Sequence, residues 1–180
     1  MLITNILTNA KIQFHFYFYS FLIVKYAYSR IFVFKNKKML FQYPVEEAEK
    51  LVEAFESCTL DKSDWSHEAH LLAGTKMYIL YGENAFTEMK KRVIRFNESV
   101  GTINSESSGY HETITHYWIT ILKAFCRENN IIIFDQYATD TLLFAEELAQ
   151  RNSFLEYYSK DLIMSSRARM AFVAPDLKEL

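Results

Sequence analysis

Glycine, proline and cysteine are all scarce in this chain. Its 180 residues include four glycines, two prolines and two cysteines, while half of the residues are hydrophobic. So few glycines and prolines argue against a turn-rich β-sandwich and favour helices. The cysteines, Cys58 and Cys126, follow neither a metal-binding nor a redox spacing. That pattern indicates two buried, reduced thiols in a cytosolic protein.

Acidic residues are absent from residues 1–38, which carry six basic and ten aromatic side chains. The rest of the chain has 14 basic and 22 acidic residues, so we expect no general attraction for nucleic acid. Residues 1–38 are also rich in Phe, Tyr, Ile, Lys and Asn, whose codons are AT-rich. This break in composition before Met39 favours a mis-called start, with residues 1–38 a non-globular extension outside the fold.

Two alternatives for residues 1–38 stay open. Residues 12–34 are long enough to cross a bilayer, so a membrane anchor or a signal is one of them. However, His15, Lys25 and Arg30 interrupt this stretch, and a central cation costs about 2.5–3.5 kcal/mol. No small-residue cleavage pattern follows it. The other alternative is a structured extension. The predicted location is therefore cytoplasmic, with anchoring through residues 12–34 as the alternative.

Apolar residues recur at helical spacing in residues 39–180, which predicts a single all-α domain. Helices are expected over residues 45–57, 63–81, 84–98, 108–127 and 138–150, with a polar loop at residues 99–108. Shorter helical pieces follow, capped by Ser159 and Ser165. Residues 131–134 fit either a short strand or a buried helix. The expected architecture is five or six helices in bundle-like or orthogonal packing.

Four of the five histidines lie in two short runs, WSHEAHL at residues 65–71 and GYHETITH at residues 109–116. Each run opens a predicted helix. At about 100° per residue, His67 and His70 share the inward face of the first of these helices with Tyr81, whereas Ala69 points elsewhere. The first run is therefore predicted to place two imidazoles one turn apart towards the core.

The second run gives a similar pattern on its own helix. His111 and Thr115 fall on the inward face, together with a stripe of apolar residues. Glu112 and His116 fall on the outward face. The spacing therefore predicts His111 and Thr115 as interior residues and rejects Glu112 and His116 as site residues.

The inward histidines are candidate metal ligands. The unpaired N–H groups and positive dipole of a first helical turn disfavour imidazolium, so we expect neutral rings, the form that binds metal. His67, His70 and His111 could hold Zn²⁺, Fe²⁺ or Ni²⁺ with one open position. An open position permits water activation, so a small metal-dependent enzyme, most simply a hydrolase, is the leading hypothesis. Thr115 and Tyr110 could then orient a substrate.

Two other hypotheses remain beside the enzyme. The helix starts could bind a small anionic ligand with the help of an arginine, which makes a non-catalytic binding module. Arg167 and Arg169 cannot share a helix face, so one reaches inward; Arg169 is the further candidate site residue. Alternatively, the histidines simply satisfy a polar core.

Asp176 is expected to pair with an arginine and lock the tail. Substrate and oligomeric state are not indicated.

Several motifs together resemble a family of small bacterial helical proteins of unknown function. They are WSHEAHL at residues 65–71, GYHETIT at 109–115, YYS at 157–159, and an ending that combines Ala168-Arg169 with PDL at 175–177. The resemblance covers residues 39–180 and none of residues 1–38. An arginine commonly stands in that family where this chain has His116. The resemblance implies a helical fold and attaches no activity.

Overall fold

The computed structural model describes residues 43–180, which form one compact all-α unit, so the predicted fold class is confirmed. Five helices of at least eight residues come first, and shorter helices follow. The longer ones are α1 Val45–Glu56, α2 His67–Tyr81, α3 Ala85–Ser99, α4 Glu112–Glu128 and α5 Gln136–Leu143; the shorter ones are α6 Glu146–Ala149, α7 Lys160–Ile163 and α8 Ser166–Met170.

Short 3₁₀ turns at Lys62–Asp64, Gly82–Asn84 and Ser153–Glu156 complete the secondary structure of this unit. Among residues 43–180, no helix has both the length and the apolar character that crossing a membrane requires. The predictions for residues 1–38, including a span at residues 12–34, lie outside the described residues.

Two helix starts differ from the sequence prediction because the capping residue is a different one. The second helix begins after Ser66, not near residue 63, and the Ser66 hydroxyl accepts the Ala69 N–H at 3.3 Å. The fourth begins after His111, not after Ser108. A cap must place an acceptor near the first free N–H groups, and that depends on where the preceding loop turns.

The C-terminal half also differs in detail. Residues 131–134 form neither the strand nor the helix that their apolar pattern allowed. The predicted helix at residues 138–150 is two helices, α5 and α6, separated by a break after Leu143. Ser159 and Ser165 cap α7 and α8 through their hydroxyls, as predicted.

Helix α2 lies at the centre of the unit and packs against α1, α3, α4 and α5. It is therefore buried on more than one face. The helical wheel was wrong for Ala69, which is fully buried, and for Tyr81, which is 38% exposed. At Gly74 an added Cβ would lie 2.6 Å from Leu122 Cδ1 of α4, so the glycine permits the close approach of the two helices.

A second apolar cluster joins α4 to the C-terminal segment. Tyr117 of α4 packs in it with five residues of that segment: Phe154, Tyr158, Ile163, Ala168 and Val173. The thiols are free: Cys58 is half-buried, and Cys126 is buried in the main core. Burial raises the pKa of Cys126 to about 11, so this thiol stays protonated at neutral pH.

Candidate functional site

A pocket of about 370 Å³ lies between α2, α3, α4 and the loop that precedes α4. Its walls are mostly apolar and aromatic, with Trp65, Phe96 and Trp118 among them. No acidic side chain is among the described residues that line it. Pockets of this size and character are typical of small-molecule sites.

His70 contributes an imidazole to this pocket. Its Nδ1 lies 2.6 Å from the Ser66 carbonyl oxygen, so Nδ1 carries the hydrogen and donates it. Burial lowers the pKa of His70 to about 4, so the ring is neutral at physiological pH. Nε2 is then an acceptor, and it makes no hydrogen bond within residues 43–180.

The His70 ring is held by stacking as well as by this hydrogen bond. Its centroid lies 4.0 Å from that of Trp65, and Trp65 in turn stacks on Phe55 at 4.1 Å with nearly parallel planes. Phe55 is fully buried. The pocket therefore contains an imidazole acceptor of fixed tautomer and fixed orientation.

His67 belongs to the same helical turn but does not line the pocket. Its Nε2 lies 2.7 Å from the carbonyl oxygen of Leu148, to which it donates. Its ring contacts Trp118 edge-on, with centroids 4.8 Å apart. His67 therefore attaches α6 to the start of α2.

His111 lines the pocket but has no free nitrogen. Nε2 donates to the Ile163 carbonyl oxygen at 2.8 Å, and Nδ1 accepts the Ile114 N–H at 3.3 Å. The ring is thus the N-cap of α4 and also a contact to the C-terminal segment. Burial lowers its pKa below the usual value, in agreement with a neutral ring.

The three histidines do not form the metal site that the sequence suggested. In the part of the chain that the structure describes, no three His, Cys, Asp or Glu side chains are grouped to hold a metal ion. A coordinating imidazole needs a free nitrogen lone pair. Both nitrogens of His111 are engaged, and of the two histidines that line the pocket only His70 has a ring nitrogen without a hydrogen bond in residues 43–180. The residues present therefore do not fit Zn²⁺, Fe²⁺ or Ni²⁺.

Tyr110 and Thr115, the predicted substrate-orienting residues, both line the pocket. Thr115 is half-buried. The Tyr110 hydroxyl is buried and has no hydrogen-bond partner within residues 43–180. Burial, reinforced by the charge of Glu112, raises the pKa of Tyr110 well above its usual range, so the phenol keeps its proton at neutral pH.

Arg169 reaches inward, as expected, but its guanidinium binds backbone carbonyl groups. Its Nη1 donates to the carbonyl oxygens of Gly109 at 3.0 Å and Tyr110 at 3.3 Å. Arg167 is exposed. Asp176 accepts the Ser159 N–H at 2.7 Å, where the sequence had suggested an arginine partner. The tail is locked by a different contact from the one expected.

Thr113, which the sequence reasoning left out, completes the contacts between the second motif and the C-terminal segment. Its hydroxyl donates to the Ala168 carbonyl oxygen at 2.7 Å and accepts the Val173 N–H at 3.2 Å. Thr113 is fully buried. Together with His111 and Arg169, it forms what we call the C-terminal clasp.

The two residues that the wheel rejected are not simply outward. Glu112 has a side chain only 13% exposed, with Oε2 2.7 Å from Lys90 Nζ of α3. His116 is half-buried between the rings of Phe86 and Phe172, at centroid distances of 5.1 and 4.4 Å. Both lie beneath neighbouring elements that a wheel drawn for one helix does not include.

Asn97 is the pocket residue that the sequence reasoning missed. It follows Met89 and Val93 at intervals of four, so it continues the apolar face of α3. A polar residue at such a position was the available signal. Asn97 is 8% exposed and lines the pocket, together with Thr102 from the loop at residues 99–108, to which no role had been given.

Comparisons of the chain with known proteins found no matching family model, no matching curated protein and no matching solved structure.

Proposed function

We propose that the helical unit is a binding module for a small, largely apolar molecule that donates a hydrogen bond to His70. The supporting observation is the open, neutral Nε2 of His70 in a pocket of about 370 Å³ with aromatic walls. An apolar pocket with a few oriented polar groups is the usual form of a ligand site.

The geometry favours an uncharged ligand over the anion suggested by the sequence. The start of α4 is capped by His111 itself, and Arg169 is engaged with two backbone carbonyls. These two groups are therefore engaged, and Lys62 is the cation among the described residues that lines the pocket. The acceptor character of His70 Nε2 points in the same direction, because an acceptor repels an anion.

Fragment binding to the full-length chain tests the proposal. Ligand-observed NMR with neutral aromatic fragments should detect binders, and those with an N–H or O–H should bind more tightly than their methylated analogues. His70→Asn retains a donor for the Ser66 carbonyl but removes Nε2, so it should abolish that preference. His67→Gln, which retains the donor to Leu148, is the matched control and should leave the preference intact.

An absence of binding by every fragment at millimolar concentration would contradict the proposal. So would an equal preference for donor-bearing fragments in the wild type and in His70→Asn.

A metal-dependent hydrolase, a cytosolic location and membership of the family that the motifs resemble stay predictions. Metal content of the untagged full-length chain, measured by elemental mass spectrometry, tests the first of these. About one equivalent of metal that is lost in His70→Asn would support the hydrolase and count against the binding module.

A further inference from the structure

The pocket contains a second acceptor whose orientation is determined by backbone contacts. The chain of contacts begins at Asn104, in the loop before α4. Its Oδ1 accepts the Tyr110 N–H at 3.0 Å, and its Nδ2 donates to the Ile94 carbonyl oxygen at 3.2 Å. A backbone N–H can only donate and a carbonyl can only accept, so only one orientation of the Asn104 amide satisfies both contacts.

Asn104 in turn orients Asn97. Because Asn104 Oδ1 is an acceptor, the atom of Asn97 that lies 2.8 Å from it must be the donor Nδ2. The Asn97 Oδ1 is then the atom left over. It accepts no hydrogen bond from any residue in 43–180, although Asn97 is only 8% exposed and lines the pocket.

An amide oxygen without a protein partner at a mostly apolar pocket gains a hydrogen bond from a ligand that brings it a donor. His70 Nε2 is a second such acceptor in the same pocket. A ligand that satisfies both must bring two hydrogen-bond donors. It gains nothing from a positive charge, since no carboxylate among the described residues lines the pocket to pair with it.

We propose that the pocket selects a neutral, flat aromatic molecule with two hydrogen-bond donors, one for His70 Nε2 and one for Asn97 Oδ1. This inference rests on the proposed binding function and narrows it to a ligand class. The aromatic rings of Trp65, Phe96 and Trp118 supply the surfaces against which a flat ring packs. Asn97 and Asn104 act as residues that determine specificity.

The test compares three probes of one shape on the full-length chain. N-methylindole has no donor, indole has one, and the positional isomers of aminoindole have two donor groups. At a pH above the pKa of the aryl amine all are neutral. We expect Kd to fall by about fivefold with each donor added, for the best isomer, since one net hydrogen bond is worth about that factor. Isothermal calorimetry measures the three constants.

Substitutions separate the two acceptors. Asn97→Leu should remove the gain in affinity from the donor that binds Asn97 and retain the gain from the other donor. His70→Asn should remove only the gain from the donor that binds His70. Thr120→Val, which removes a hydroxyl of α4 that donates to the His116 carbonyl oxygen and lies outside the pocket lining, is the control and should retain both gains. The probe series on the wild type tests the inference even where Asn97→Leu does not fold.

The possible outcomes distinguish a failure of the second acceptor from a failure of the binding function itself. Equal Kd values for indole and for every aminoindole isomer would overturn the second acceptor and leave the binding function standing. A full series that survives in Asn97→Leu would overturn the role of Asn97. Failure of all probes to bind, alongside failure of the fragment screen, would overturn both.

Discussion

The two histidine runs are similar in sequence but have different roles in the structure. The run at residues 65–71 leaves one imidazole nitrogen, Nε2 of His70, open to a pocket. The run at residues 109–116 uses both nitrogens of His111 to cap a helix and hold the C-terminal segment. Histidine near a helix start therefore does not by itself indicate a site. What matters is how many of its nitrogens have backbone partners.

The difference arises from position within the helix start. His111 is the cap residue, with an extended backbone that turns its ring back over the first free N–H groups. His70 lies within the first turns of α2, where its ring can reach only the Ser66 carbonyl behind it. One ring is therefore bonded on both sides, while the other is bonded on one side.

The largest expected effect comes from removing the clasp histidine. His111→Ala loses the cap and leaves the Ile163 carbonyl oxygen without its donor, so we expect a loss of about 2–3 kcal/mol in the free energy of unfolding. His70→Asn retains its backbone hydrogen bond and should cost about 1 kcal/mol or less. Urea denaturation measures both. Equal losses would contradict the division of roles.

Gly109, the first residue of the second histidine run, has an expected effect of similar size. Gly109 has φ of +73°, and an added Cβ would lie 2.6 Å from the Ile103 carbonyl oxygen. Gly109→Ala should therefore cost about 2–3 kcal/mol, from left-handed strain plus a backbone clash. Gly101, with φ of +71° but open space around it, is the matched control and should lose about 1 kcal/mol when changed to alanine.

Gly109 also lines the pocket, so its substitution should weaken fragment binding as well. Thermal denaturation with and without a bound fragment measures both effects. A Gly109→Ala protein as stable as Gly101→Ala would show that the loop accommodates the methyl group.

The pH dependence of the free energy of unfolding should reveal the neutral His70 ring. The folded-state pKa of His70 is about 4, below the ordinary value of 6.5. The unfolded chain therefore binds the extra proton first, and stability falls as the pH drops from about 6.5 towards 4. In His70→Asn this part of the slope should disappear. Urea denaturation across that pH range measures it, and identical slopes would refute the low pKa.

The smallest effect concerns the two arginines of α8. Arg169→Ala removes the hydrogen bonds to the Gly109 and Tyr110 carbonyls, so we expect a loss of about 1 kcal/mol. Arg167 is exposed, and its change to alanine should cost less than about 0.5 kcal/mol. Thermal denaturation of the pair checks this. A larger loss for Arg167 would mean that the clasp contact is misassigned.

Much of the fold was predictable, whereas only parts of the site were. Helix-period apolar spacing and scarce glycine indicated an all-α unit, and residues 45–57 matched α1 to within one residue. The pocket residues His70, Tyr110 and Thr115 were also identified. Capping residues such as Ser66 were misplaced, because a cap depends on where the loop delivers the chain.

The site was harder to predict because the hydrogen-bond partners of its polar atoms are distant in sequence. Asn97 depends on Asn104 across a loop turn, and His111 depends on Ile163, 52 residues away. A wheel drawn for a single helix contains neither partner. It therefore treated His67, His70 and His111 as equivalent ligands, although their free nitrogens differ.

The sequence by itself determined that this region folds as helices and that two histidine runs begin two of them, because periodicity and local turn chemistry act within a few residues. The tertiary structure alone decided which polar atoms are satisfied. Carbonyl groups of Leu148 and Ile163 reach His67 and His111, and no such group reaches His70 Nε2 in the described residues. Hydrogen bonding is short-ranged and directional, so only packing determines which atoms remain open to a ligand.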